Sequence, residues 1–242
     1  MPLKNLLFSF ALLIALCGTT VKADVLNISS ITATVSPTSI DFGSNGSANG
    51  SFTVGSPQFG SLLVGSTGIV KDLSFNGSTP LNSPLLLTSF LSFQADPNLR
   101  FDLTFIHLGV SGSAGCSANP PGLGQVCTPT FPALVTPANP QGLSPYGFSN
   151  TLTGSSLSFL VDGVMVNGAV TTPFHGIFST QFTVPFQTVL GTWANGGSVP
   201  TTFSATFTPE TATPEPATMV LLGTGLFGIA AKIQRRKKQS TT

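Results

Sequence analysis

Hydrophobic and polar positions alternate with period two along most of the chain. Ile31, Ala33 and Val35 alternate with Thr32, Thr34 and Ser36, and Leu157, Phe159 and Val161 with Ser156, Ser158 and Leu160. Leu99, Phe101, Leu103, Phe105 and His107 alternate with Arg100, Asp102, Thr104 and Ile106. Phe203, Ala205 and Phe207 alternate with Thr202, Ser204 and Thr206, while Phe178 and Phe182 share one side of 176–184. This is the period of strands with one buried face. Between residue 24 and Ala217 no segment keeps a 3.6-residue period over ten residues. Asn-Gly and Asp-Gly pairs at 45, 49, 76, 162, 167 and 195 supply residues that tolerate φ > 0 in hairpin turns. Asp162-Gly163 and Asn167-Gly168 lie five residues apart, so they need not both close hairpins. Phe178–Phe182 and Phe203–Phe207 share F-S-x-x-F and mark two similar strands, candidate neighbours. The expected fold is all-β: an antiparallel β-sandwich, jelly-roll-like or immunoglobulin-like, over residues 24–208 with a Phe-rich core.

Residues 112–148 break the alternation. They are rich in Gly, Ser and Pro, and proline is excluded from central strands, so a long surface loop is expected there. The loop contains Cys116 and Cys127, which enclose ten residues. In an exported chain a disulfide between them is the expectation. Zinc is the rival, but only His107 and His175 could supplement the two thiols.

Two continuous apolar runs flank this middle. Leu6 to Cys17 follows Lys4, and Val21-Lys22-Ala23 precedes Asp24, the pattern of a signal peptide over 1–23 cleaved between Ala23 and Asp24. At the other end a linker at 209–216 contains Pro214-Glu215-Pro216, whose prolines favour an extended backbone. Residues 217–233 are then apolar, about 25 Å long as a helix at ~1.5 Å per residue, and are expected to form one C-terminal transmembrane helix. Lys232 can snorkel to the interface, and Arg235, Arg236, Lys237 and Lys238 make 234–242 a basic cytoplasmic tail. The middle of the chain then faces away from the cytoplasm. Gly223, Gly225 and Gly228 match G-x-G-x-x-G, but within an apolar run with only basic residues beyond it they thin a helix rather than bind a dinucleotide.

The tail, PEPATMVLLGTGLFGIAA followed by KIQRRKK, resembles the PEP-CTERM sorting signal of Gram-negative bacteria and cyanobacteria. The resemblance covers about the last 27 residues. It implies that Pro214, Glu215 and Pro216 are recognition residues of a substrate, read by an exosortase, an integral-membrane transpeptidase-like protease. It also implies export machinery and the inner membrane as partners, and a route to the cell envelope or the extracellular polymer.

Charge narrows the function classes. The 242 residues carry a net charge of +1, yet residues 24–216 hold two cations, Lys71 and Arg100, against eight acidic groups. A nucleic-acid partner is not expected, because binding one rests on many Lys/Arg–phosphate contacts. No G-x-S-x-G, HExxH or C-x-x-C motif occurs. Asp41, Asp72, Asp96, Asp102 and Asp162 are scattered, so no glycosidase-type pair can be assigned. Asp102 is placed to pair with Arg100 on the same strand face, and His107 and His175 read as partly buried strand residues. The expectation is a non-catalytic surface or matrix protein without cofactor or metal, in hydrated contact with exopolysaccharide or other surface proteins. The alternative is a carbohydrate-binding module at the cell surface, with Trp193 and Tyr146 as the candidate stacking rings.

Overall fold

The computed structural model describes residues 25–43, 49–57 and 59–210. Twelve strands are formed: β1 (Leu26–Val35), β2 (Ser39–Phe42), β3 (Asn49–Val54), β4 (Thr67–Lys71), β5 (Leu73–Ser74), β6 (Leu87–Phe93), β7 (Leu99–Ile106), β8 (Val126–Cys127), β9 (Gly147–Thr151), β10 (Gly154–Asn167), β11 (Val170–Phe182) and β12 (Val199–Pro209). One helix, α1 (Phe186–Ala194), separates the last two. Every strand pairing is antiparallel.

The all-β, antiparallel expectation holds. Its division into two sheets is replaced by one hydrogen-bonded circuit: β1, β3, β4, β6, β7, β10, β11, β12 and back to β1. β10 is what closes it. Its 13 registered positions all pair with β11, while the opposite edge is shared, Gly154–Ser158 with β9 and Val161–Asn167 with β7. Closing a sheet needs local bends, and bulges supply them. Register shifts fall between Ile28 and Ile31 in β1, between Leu87 and Leu91 in β6, and opposite Asp162 and Gly163 in β7.

The bulge in β7 inverts the face of its C-terminal end. Gly163 lies opposite Leu103 but Asp162 lies opposite Phe105, so Thr104 is the extra residue. Ile106 therefore turns into the core, and Phe105 and His107 become half-exposed. This corrects the simple alternation that kept His107 in phase with Phe101 and Leu103.

Phenylalanine fills the interior as expected. Phe42, Phe90, Phe101, Phe159, Phe174, Phe178, Phe203 and Phe207 are buried, and the rings of Phe159 and Phe178 stack at 4.7 Å. The two F-S-x-x-F segments lie on neighbouring strands, with Phe178 opposite Ala205 and Gly176 opposite Phe207. Of the turn pairs, Asn167-Gly168 closes the β10–β11 hairpin, with Gly168 at φ 58. Asp162-Gly163 sits in mid-strand instead. A Cβ on Gly163 would come within 2.4 Å of the Phe174 ring, so the glycine there makes room for a core phenylalanine.

The helix was not expected. It is nine residues long, below the window that a helical period needs to show, yet Phe186, Val189 and Trp193 are buried at i, i+3 and i+7. Pro185 precedes it, and Asn195 and Gly196 (φ 76) end it. Among the described residues no helix is long and apolar enough to cross a membrane. The expected transmembrane segment 217–233 lies outside them, as does the signal peptide.

Candidate functional site

On the outer face of the sheet four polar side chains form a line. His107 follows β7, Asp162 is in β10, His175 is in β11 and Glu210 follows β12. The bulge that turned His107 outward is the local reason it can reach this line. Asp162 Oδ2 lies 2.7 Å from His107 Nε2, and Asp162 Oδ1 lies 2.7 Å from His175 Nδ1. The other ring nitrogen of His175, Nε2, lies 2.7 Å from Glu210 Oε1. The end of β7, the middle of β10 and β11, and the start of the linker are thereby joined.

The electrostatics follow from this geometry. The Asp162 hydrogen bond, supported by the charges of Asp162 and Glu210, holds His175 above the usual histidine range. Partial burial pushes Asp162 up, but the hydrogen bonds and charges of the two histidines outweigh it and hold the carboxyl below its usual range. Sequence reading placed both histidines on strands but could not bring them together. They are 68 positions apart, and only the β7–β10–β11 register with its bulge places both on Asp162.

The other carboxyls are dispersed. Asp102 is buried, pairs with Arg100 Nε at 3.1 Å as expected, and also accepts the Ser89 backbone N–H at 2.6 Å. Asp96 accepts from Ser61 Oγ at 2.6 Å. Asp72 accepts the Phe42 N–H at 2.8 Å; burial raises its affinity for a proton, and neighbouring Asp41 adds to that. Among the described residues no group of three His, Cys, Asp or Glu is arranged to hold a metal ion.

Cys116 and Cys127 form the expected disulfide, with Cα atoms 4.9 Å apart. The surrounding segment is more than a surface excursion. Cys127, Leu134, Asn139 and Tyr146 are buried, and the Asn139 side chain donates to the carbonyls of Leu134 and Leu143. Gln125 accepts from Gln187 of α1 at 2.8 Å, and Asn150 Oδ1 accepts the Phe186 N–H at 3.0 Å, so loop, β9 and helix are tied by one polar network.

The two candidate stacking rings are in the interior, which corrects that expectation. Tyr146 is 0% exposed and Trp193 is 3% exposed. They pack on each other at 5.4 Å, and Tyr146 also meets Phe75 and Phe159. Burial pushes the Tyr146 phenol well above its usual range, and its O–H donates to the carbonyls of Ser36 and Ser39. Neither ring can face a sugar. A solvent-facing groove of about 630 Å³ opens instead where β11 and β12 separate beyond the Ser179–Ser204 pair. Ser156, Ser179, Gln181, Thr202 and Ser204 are among its lining residues, and none of the lining residues is charged.

Ala23, Asp24, Pro214, Glu215, Pro216, Lys232, Arg235, Arg236, Lys237 and Lys238 lie outside the described residues. Comparison with known families reaches most of this tail. The family profile of the PEP-CTERM protein-sorting motif matches residues 212–237. No curated protein and no solved structure matches the chain. The chain thus carries a PEP-CTERM sorting motif, the mark of an exported protein that is sorted by way of an exosortase and passes through a membrane-anchored stage.

Proposed function

We propose that the β domain is a non-catalytic component of the cell surface or extracellular matrix, delivered by its C-terminal tail. The observation that carries this reading is the motif match at 212–237 on a tail attached directly to the last strand of the barrel. In this reading residues 217–233 anchor the chain in the inner membrane, with Lys232 and the Arg235–Lys238 cluster holding its cytoplasmic end. Pro214, Glu215 and Pro216 present an extended recognition sequence outside. Only three residues, Thr211 to Thr213, separate Pro214 from Glu210, so the domain is delivered close to the processing point.

Two features support a structural role for the domain. The closed circuit leaves few free strand edges for unwanted pairing. The outer face of β12 presents Thr202, Ser204, Thr206 and Thr208, and that of β10 and β11 mixes Ser158, Ser179 and Gln181 with exposed Leu160 and Ile177, a weakly charged surface. The test is fractionation of cells that produce the full chain. The protein is expected with the envelope or the released exopolysaccharide, and Pro214→Ala with Pro216→Ala is expected to hold it in the inner-membrane fraction. A double variant that distributes like the wild type overturns the sorting part of the proposal.

The groove between β11 and β12 favours a second reading, binding of neutral carbohydrate. Hydroxyl groups both donate and accept, and an uncharged lining suits an uncharged polyhydroxylated ligand. Binding to a neutral glycan array that is lost in Ser179→Tyr and Ser204→Tyr, which fill the groove, is the expected result. Binding unchanged by both substitutions removes the groove from the account.

A further inference from the structure

His175 stands between two carboxylates, with each ring nitrogen 2.7 Å from one of them. A neutral imidazole has one N–H, and an ionised carboxylate can only accept. Neutral His175 can therefore satisfy Asp162 or Glu210 but not both, whereas the imidazolium donates to both at once. We propose that His175 is a proton-dependent clamp that fastens the start of the C-terminal linker, at Glu210, to the face of the barrel. The length of free chain ahead of Pro214 then depends on pH.

The two ends of the clamp are unequal. Asp162 is in mid-strand, receives His107 on its second oxygen and is fixed by pairing on both sides of β10. Glu210 is more exposed, lies just beyond β12, and has one backbone anchor, its N–H donating to Pro173 at 2.8 Å. When His175 loses a proton, the remaining N–H stays with the better-placed Asp162 and Glu210 is released. The titratable groups in contact with His175 are Asp162 from β10 and Glu210 after β12, and His107 at the end of β7 shares Asp162 with it; its cross-strand partner Thr208 does not titrate. The sign follows from the two shifts. His175 is raised, so its contribution is complete below the ordinary histidine value near 6.5 and is lost as pH rises through the folded value. Asp162 is lowered, so its contribution is complete above the ordinary value near 3.8 and is lost only as pH falls through the depressed one. The clamp is closed between the two and opens on the alkaline side. Each residue freed from the end of β12 adds about 3.3 Å of reach.

The clamp is local and testable without reference to sorting; its effect on processing rests on the reading in the previous section. The full chain in detergent micelles is followed by ¹⁵N-histidine NMR and by amide exchange at Glu210, expressed as a protection factor so that intrinsic base catalysis is removed. Below the His175 transition both ring nitrogens are expected to show protonated shifts. Protection at Glu210 is expected to fall roughly 2–5-fold across that transition, the scale of an exposed ion pair. In His175→Ala protection is expected to be low and independent of pH, and in Glu210→Gln the His175 transition moves to lower pH. Both substitutions are at the surface, and near-UV circular dichroism verifies that the fold is kept. Protection that does not follow the His175 titration, or that keeps its pH dependence in His175→Ala, overturns the clamp. In cells, the rate of tail processing against external pH is compared between wild type and His175→Ala, with Pro214→Ala and Pro216→Ala as the control. Processing that survives the proline substitutions defeats the sorting reading and leaves the clamp to be judged on exchange alone.

Discussion

Trp193 donates its indole N–H to the carbonyl of Val35 at 3.1 Å, a bond that spans 158 positions of sequence and fastens α1 to the end of β1. The same ring packs on Tyr146, Phe148 and Phe131, so helix, loop and strands share one aromatic cluster. Removing it leaves a cavity and takes the indole hydrogen bond from the Val35 carbonyl. Trp193→Ala is expected to cost about 3–5 kcal/mol in urea unfolding. Trp193 is also the one tryptophan of the chain, so native fluorescence is expected to be blue-shifted and unaffected by added glycans. A solvent-exposed spectrum contradicts its placement.

The Cys116–Cys127 bridge ties together a segment that has little regular structure. A sequence separation of 11 residues corresponds to about 2–3 kcal/mol of loop-closure entropy removed from the unfolded chain. Cys116→Ser with Cys127→Ser is expected to lower the unfolding free energy by that amount, and reductant is expected to destabilise the wild type but not the variant.

Asp102 repairs what the bulge in β6 leaves open. Leu87 to Leu91 spans four steps against two from Leu103 to Phe101, and Ser89 sits at φ 51 with its N–H aimed at the carboxylate. Asp102→Ala abandons that donor and the Arg100 guanidinium together. A loss of roughly 1–3 kcal/mol is expected from the unsatisfied buried group. Arg100→Ala, which leaves the Ser89 bond intact, is expected to cost less.

Gly163 lies where the β7 bulge brings Asp102 close. A Cβ there would fall 2.3 Å from the Asp102 carbonyl oxygen and 2.4 Å from the Phe174 ring. Gly163→Ala is expected to destabilise by about 1–3 kcal/mol through overpacking. Gly168→Ala, with open space around the position, tests strain at positive φ alone. Denaturant midpoints for the two variants separate crowding from backbone strain.

The strand content was legible because burial on one face imposes period two, and Phe178, Phe182, Phe203 and Phe207 record it directly. The disulfide was legible from cysteine number and export. Closure of the sheet was not, because it depends on β10 pairing with three neighbours and on bulges, and an inserted residue such as Thr104 leaves no mark in composition. The same bulge hid the His107–Asp162–His175 line, whose members look like ordinary strand positions until register joins them. Helix α1 was missed because nine residues carry only three buried positions, although Pro185 and Asn195-Gly196 bracket it. Trp193 and Tyr146 were misplaced by residue type: amphipathic rings serve surfaces and cores alike, and here their polar atoms meet backbone carbonyls inside.

Mass spectrometry of the full chain recovered separately from membranes and from culture medium tests the central claim most directly. The account predicts an intact C-terminus only in the membrane fraction, and released protein that ends near Pro214-Glu215-Pro216 without residues 217–242. Released protein that retains the apolar segment and the Arg235–Lys238 cluster would contradict it.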